Sequence, residues 1–472
     1  MGCGVLTTYT EIANIAGLHG LLVYTLTGAI PIFMFSFFGP LIRRRCPDGF
    51  VLTEWVFLRY GRICGWYLSV FTILTMYLYM VSELTAVQYA IEALTGINAT
   101  PCLIIECVVT SIYTALGGFK VSFITDTWQA AFVMIIMVVA IIAYATNINI
   151  DMTLKHETEH QLLGANKLGW MLVYILFVAI LTNDAFMAGF WLRTFAAKTN
   201  RDLFIGTGIA SFVAFFLCFL VGITGIIAVW TGDLQINDPE GYNAFFILIA
   251  NMGTWVTVII LIFAVALSTA TFDSLQSAMT STISNDLFRN KISINWIRLI
   301  VLIIMVPCIV VAVKAATNVL QIYLIADLVS ASIIPVMFLG LWDRMYFLTS
   351  WEVMGGGLGA LVGVFIFGTV YYGNAKDGGK LLLVWNGIYD SEDWGPFGAF
   401  VIAPFGGILI GFAILAIRLA ILKVYSKAKG KPFTALDKPA PRAPPSELTE
   451  EESVERDIED TVPKDIDSFE NI

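Results

Sequence analysis

Leu203-Phe-Ile-Gly-Thr-Gly-Ile-Ala-Ser-Phe-Val-Ala-Phe-Phe-Leu-Cys-Phe-Leu-Val-Gly-Ile-Thr-Gly-Ile-Ile-Ala-Val-Trp230 runs for 28 residues without a charged side chain. About 20 apolar residues cross a bilayer as a helix, so this stretch is predicted to span a membrane. Ten further apolar runs flank it: Leu21–Arg45, Cys64–Leu94, Pro101–Leu116, Val121–Ala145, Leu168–Trp191, Met252–Ile283, Ile294–Val313, Val319–Trp342, Val353–Tyr371 and Phe397–Ile421. A shorter one, Val5–His19, precedes them all. Lipid offers the backbone no hydrogen bonds, so only helices or closed barrels cross it, and barrels show weak alternating segments instead. The expected fold is therefore all-α, a polytopic membrane protein of about 12 transmembrane helices.

Composition agrees. The 472 residues are 58% hydrophobic with mean hydropathy +0.80 and only 13% charged, where soluble domains carry roughly 25%. The net charge of −9 is unevenly placed. Up to Lys431, Lys and Arg number 23 against 24 acids; beyond it, 4 face 12. Residues 424–472 turn basic, then Pro-rich, then acidic, and are expected to form a disordered cytoplasmic tail, the natural contact for cytoplasmic regulators. Nothing in the charge pattern suggests a nucleic-acid partner. Seven scattered cysteines without a CxxC pair, and three histidines, indicate neither a disulfide framework nor a metal cluster. No charged segment precedes the first apolar run, so a removable signal peptide is not expected. With no nucleophile motif and no HExxH, an enzyme is not expected either.

Basic residues orient the chain. With its start in the cytoplasm, cytoplasmic loops hold 13 basic residues, among them Arg43, Arg44, Arg45, Arg59, Arg62, Arg193 and Arg298, and outer loops hold five, Lys155, Lys167, Lys314, Lys376 and Lys380. The C-terminus then also lies inside, and the plasma membrane is the expected location.

Acids inside spans cost roughly 2.5–3.5 kcal/mol each on insertion scales and need a reason. Here they are Glu11, Glu83, Glu106, Asp126, Asp184, Asp273 and Asp327. Spread over different helices, they suggest a polar pathway through a bundle. Two polar clusters interrupt apolar helices: Thr7-Thr8-Tyr9-Thr10-Glu11 in the first and Thr182-Asn183-Asp184 in the sixth. If helices one to five and six to ten are inverted repeats, the clusters correspond, and paired broken helices point to a transporter site. Ser268, Thr269, Thr271, Asp273 and Ser274 add hydroxyls and an acid in the eighth helix.

Ser111-Ile-Tyr-Thr-Ala-Leu-Gly-Gly-Phe-Lys-Val-Ser-Phe-Ile-Thr-Asp-Thr-Trp-Gln129 resembles the signature of the solute:sodium symporter family. Trp191-Leu-Arg-Thr-Phe-Ala-Ala-Lys198, Ser281-x-x-x-x-Asp286-Leu287 and Phe338-Leu-Gly-Leu-Trp342 agree in order and helix position. Gly17-x-x-Gly20-x-x-x-Tyr24, Arg44-Arg45-x-Pro47, Glu54 and Arg59-Tyr60-Gly61 are most similar to its urea and polyamine branch.

The resemblance implies a leucine-transporter-type core: residues 1–145 as the first inverted repeat, 168–342 as the second, helices one and six broken, and 343–423 as two peripheral helices. It implies Na⁺ as the co-transported ion, with no organic cofactor. The first-helix carbonyls of the sodium site fall at Thr7 and Thr10. In the eighth helix one register gives Ala270 and Thr271, another the complete pair Ser268 and Thr269. Asp126 matches an aspartate that influences sodium. Asn14 lies where family members contact substrate, so the substrate-binding set is Glu11, Asn14, Glu83, Asn183, Asp184 and Asp273. Ala214 and Ile180 replace a lysine and an asparagine of sugar-transporting relatives, and the urea branch's Asp-Gln-x-x-Trp-Gln is absent.

A small polar nitrogenous solute remains, urea or a polyamine, moved by alternating access on a sodium or proton gradient. The competing reading is a membrane sensor or receptor on the same fold that has lost transport. Relatives carry an extra helix before the core, so the sequence as given is expected to transport poorly.

Overall fold

Each long apolar run becomes a helix whose ends are set by glycine, polar caps or basic residues. The computed structural model describes residues 2–47, 49, 51–314 and 318–437; within Thr100–Asn147, the side chains of residues 113, 115–126, 130, 138, 141 and 145 fall outside that description. In chain order the helices are α1 (Val5–Arg45), α2 (Leu52–Tyr60), α3 (Arg62–Thr95), α4 (Thr100–Asn147), α5 (Met152–Leu163), α6 (Lys167–Phe186), α7 (Ala188–Ala196) and α8 (Asn200–Gly222). There follow α9 (Thr224–Trp230), α10 (Ala244–Ala250), α11 (Thr254–Ser281), α12 (Ile294–Lys314), α13 (Val319–Phe338), α14 (Ser350–Tyr372), α15 (Ala375–Leu382) and α16 (Gly395–Lys429). No strand occurs among the described residues.

Ten segments among them are long and apolar enough to cross a membrane, and Thr100–Ile112 and Gly241–Ala250 are shorter apolar helices. The first segment, Val5–Arg45, has 41 residues, about twice a bilayer's needs. It bends at Gly17, whose φ of 60° and ψ of −157° leave the helical region. A Cβ there would lie 2.3 Å from the Leu162 carbonyl oxygen, so glycine is required by conformation and by contact. Asn166 completes the bend: its amide donates to the Ala16 carbonyl at 2.8 Å while its Oδ1 caps α6 at Gly169. Residues 5–16 and 18–45 are thus successive antiparallel limbs.

The sixth helix stops at Phe186, passes through extended Met187 (φ −76°, ψ 117°) and resumes as α7. Trp191, fully buried, donates from its indole to the Ala185 carbonyl at 2.7 Å and ties the halves together. In the first helix, Thr7–Glu11 is regular helix, and the non-helical stretch precedes it at Gly2–Gly4.

Two further expectations shift. The runs Pro101–Leu116 and Val121–Ala145 lie on one helix, α4, rather than on two joined by a loop. The last helix extends to Lys429, six residues past the expected start of the tail, before Gly430 ends it in the left-handed region at φ 65°. Residues 438–472 of the tail lie outside the described residues. At the periphery α14 and α16 pack through small residues, where a Cβ on Gly356 would sit 2.6 Å from the Gly407 carbonyl.

Candidate functional site

The turn Gly2–Gly4 that leads into α1 accepts from the first N–H groups of the helix, and α3 supplies an acceptor for the N–H of the turn itself. Glu83 accepts from Cys3 N–H at 2.8 Å and from the Tyr323 hydroxyl at 2.7 Å. It is buried, at 2% exposure. A Cβ on Gly2 would fall 2.1 Å from its carboxylate, so that backbone lies directly against Glu83.

Beside this contact, the end of α6 meets α3 and α13. The Asn183 side-chain amide donates to the Tyr79 hydroxyl, which approaches Asp327 at 3.5 Å. Asp184 stands close enough to Asp327 for the two charges to interact. The Asn183 Oδ1 is buried with no hydrogen-bond partner. Thr182 and Ser330 hydroxyls meet at 3.3 Å. Tyrosine rings wall the cluster: Tyr79 and Tyr323 have centroids 4.6 Å apart, and Tyr9 stacks on Tyr24 at 4.0 Å. No Lys or Arg side chain among the described residues forms an ion pair with Glu11, Glu83, Asp184 or Asp327. Buried carboxylates ringed by phenol faces are chemically suited to a cation, through charge and through cation–π attraction.

Glu11 lies farther out along the same helix. It accepts from the Asn318 side-chain amide at 2.7 Å. Asn14, one turn on, is engaged by the loop between α9 and α10: its amide donates to the Gln235 carbonyl at 2.8 Å and its Oδ1 accepts from Asp238 N–H at 2.9 Å. Both polar atoms are therefore used in anchoring that loop. Asp273 lies apart from the cluster, accepting from Thr114 at 2.8 Å.

The expected sodium ligands are divided. The Thr7 hydroxyl donates to the Gly4 carbonyl at 2.9 Å, and Thr10 donates to the Thr7 carbonyl at 2.7 Å. The Thr10 carbonyl faces Gly225, where a Cβ would come within 2.1 Å of it. Neither threonine is at the non-helical stretch. In α11, by contrast, buried Ser268 and half-buried Thr269 face the Glu106 carboxylate of α4, which also feels Glu83. The Asp126 side chain lies outside the described residues. Among the described residues no three His, Cys, Asp or Glu side chains converge as a metal cluster.

Tyr79, Tyr323 and Asn318 carry this arrangement, and the sequence analysis missed them. A signal for two existed: Tyr79-x-x-x-Glu83 and Tyr323-x-x-x-Asp327 each place a phenol one turn from an intramembrane acid.

The family model described as "Sodium:solute symporter family" matches residues 15–349. The spermidine transporter DUR31 of Candida albicans is 62% identical over 440 residues, which are 93% of this chain and 84% of that protein. The urea active transporter of Saccharomyces cerevisiae is 29% identical over 147 residues, 31% of this chain and 20% of that one. A probable urea active transporter of Schizosaccharomyces pombe is 27% identical over 123 residues, 26% and 18% of the two chains. A solved Na⁺-coupled sialic acid symporter, in a substrate-bound outward-open state, shares the fold at TM-score 0.61 and 11% identity, covering 88% of this chain and 90% of its own.

Proposed function

The chain belongs to the sodium:solute symporter family, a family of transporters and not of enzymes, and from that premise we propose that it imports an aliphatic polyamine such as spermidine. The observation that carries the proposal is the group of buried Glu83 and Asp327 with half-buried Asp184, where Tyr323 and Tyr79 approach the first two and no Lys or Arg side chain among the described residues forms an ion pair with any of the three. Neutral urea needs donors and acceptors but no buried carboxylate, whereas an ammonium group brings a positive charge to acids that no described Lys or Arg side chain pairs with. The spermidine transporter is also similar over nearly the whole chain, the urea transporters over less than a third.

In this account the substrate ammonium enters the space between α3, α6 and α13. Asp184 and Asp327 then hold the charge, Asn183 accepts an N–H on its free Oδ1, and the Tyr79 and Tyr323 faces line the methylenes. Loss of hydration is offset only if every ammonium proton finds an acceptor. The break at Met187 lets one bundle rock against the other, so the site opens to each side in turn.

Sodium is the coupling ion in this account, bound between the start of α1 and the hydroxyls of Ser268 and Thr269, with the Glu106 carboxylate as neighbour. Of the two α11 registers, this account takes Ser268 and Thr269 rather than Thr271 as the hydroxyl pair. Moving one charge through 100 mV is worth about 2.3 kcal/mol. A trivalent amine therefore gains about 7 kcal/mol from the membrane potential alone, and one Na⁺ adds about a third of that. The plasma membrane, with the C-terminus in the cytoplasm, is the location that gives this drive its inward direction.

Thermal unfolding of the purified chain in detergent tests the substrate class. Spermidine should raise the midpoint in a dose-dependent way and urea at equal millimolar concentration should not; a rise with urea and none with spermidine would reverse the assignment.

A further inference from the structure

Glu11 belongs to a second constellation whose members come from outside the inner cluster. Asn318, the residue that caps α13 through Oδ1 on Gln321 N–H at 3.1 Å, donates its amide to Glu11. The hydroxyl of Tyr389, in the outer loop after α15, is turned toward the same carboxylate and is buried, yet stops short of hydrogen-bond geometry. Tyr89 and Tyr242 lie in the electrostatic field of Glu11, with ring centroids 4.6 Å apart. Glu11 is 6% exposed and has no ion-pair partner among the described residues.

The loop that brings Tyr389 is held down at several points. Gln321 donates to the Leu383 carbonyl at 3.0 Å, and Lys167 pairs with Glu392 at 2.8 Å. The Lys167 ammonium also lies 5.4 Å from the Trp394 ring, and the Tyr372 hydroxyl donates to Asp393 at 2.8 Å. A hairpin between the two peripheral helices thus delivers a buried hydroxyl to an acid of the first core helix. A loop needed only to connect α14 and α16 has no use for that contact.

Spacing gives the arrangement a chemical reading. Glu83 holds the backbone at Cys3, and Glu11 lies eight residues on. At 1.5 Å per residue that stretch rises roughly 12 Å, so Glu11 stands about that far along the axis from the backbone that Glu83 holds. Tyr24 lies within the fields of both Asp327 and Glu11. An extended triamine of spermidine's pattern places its terminal nitrogens about 11 Å apart, from bond lengths near 1.5 Å. A four-carbon diamine reaches only about 6 Å.

We propose that Glu11, Asn318 and Tyr389 form an outer ammonium subsite that measures substrate length, so that a long oligoamine bridges it to the inner acids while a short diamine occupies the inner acids alone. The inference rests on the polyamine reading above. It adds that the peripheral loop, through Tyr389, determines specificity.

Uptake of labelled spermidine and 1,4-diaminobutane by cells expressing the full chain tests it. Glu11→Gln should raise the spermidine KM about tenfold and shift the diamine KM by less than a third as much; Tyr389→Phe should do the same on a smaller scale, about threefold. Tyr389→Phe removes one hydroxyl from a surface loop, so it reports on the subsite even if Glu11→Gln fails to reach the membrane. Equal shifts for both amines, or none for spermidine, would overturn the outer subsite and leave the polyamine reading in place. Wild-type chain that takes up neither amine would overturn both.

Discussion

The Asn183 amide donates to the Tyr79 hydroxyl across the α6–α3 interface and leaves its own Oδ1 buried without a partner. Helix α6 ends three residues later, so this pair couples the break to the acid Asp327 that Tyr79 also approaches. Tyr79→Phe keeps the ring and removes the link. Spermidine KM should rise five- to tenfold, about 1–1.4 kcal/mol, with protein at the membrane unchanged. A fall in protein level that accounts for the whole loss of uptake would show a structural role instead.

Sodium dependence separates the two hydroxyl registers of α11. Ser268→Ala and Thr269→Ala should each raise the Na⁺ concentration for half-maximal uptake several-fold, because each removes an oxygen beside Glu106. Thr271→Ala should leave it within twofold. The opposite ranking, read from uptake against Na⁺ titrations, would move the site one half-turn along the helix.

Gly225 lets α9 lie on the Thr10 carbonyl, an oxygen that a Cβ would approach to 2.1 Å. Backbone on both sides cannot yield by that much. Gly225→Ala should therefore separate these helices and abolish uptake, or lower the yield of folded protein, whereas Gly206→Ala, with open space around it, should be tolerated. Normal uptake by Gly225→Ala would contradict the close approach.

At the N-terminal end of α14, Glu352 is fully buried and accepts from the Arg418 Nε of α16 at 2.6 Å. The same carboxylate caps its own helix at Thr349 N–H, at 2.7 Å. Removing one partner of a buried pair costs about 3–5 kcal/mol because the other charge is left uncompensated. Arg418→Ala should lower the unfolding midpoint in detergent sharply; Glu352→Gln with Arg418→Met in one protein should recover part of it. An unchanged midpoint for Arg418→Ala would remove this pair from the stability account.

Outside the membrane, the Lys167 ammonium holds the Glu392 carboxyl below the usual range. A depressed carboxylate contributes above its ordinary pKa and loses that contribution as pH falls through the lowered value. The clasp on the Tyr389 loop should therefore be intact from pH 5 to 8. Glu392→Gln should raise spermidine KM across that window, and wild type should converge on it only below about pH 4. A wild-type KM that already rises between pH 7 and 6 would assign the titration to another group.

Much of the fold was legible because the bilayer imposes one constraint on every span. Leu203–Trp230 announced itself by length and absence of charge, and the broken sixth helix by Thr182-Asn183-Asp184, which ends three residues before Met187. The bend at Gly17 was less legible, since the apolar pattern runs through it and only the contact with Leu162 shows why the chain turns. The site was half legible. Acids in apolar helices stand out, so Glu83, Asp184 and Glu11 were found. Their partners Tyr79, Tyr323 and Asn318 are ordinary residues of membrane helices, and only packing reveals which face they share. Asn14 shows the converse: a polar residue in the expected place, with both side-chain atoms used by the loop at Gln235–Asp238.

The central claim is that this chain moves a polyamine inward on a sodium gradient. Proteoliposomes containing the purified chain, loaded with potassium and made inside-negative with valinomycin, provide the direct measurement. With external Na⁺, labelled spermidine should accumulate above its equilibrium with the imposed potential, and accumulation should fall to that level when choline replaces Na⁺. Spermidine uptake no greater than in protein-free vesicles, or uptake indifferent to both gradients, would contradict the account.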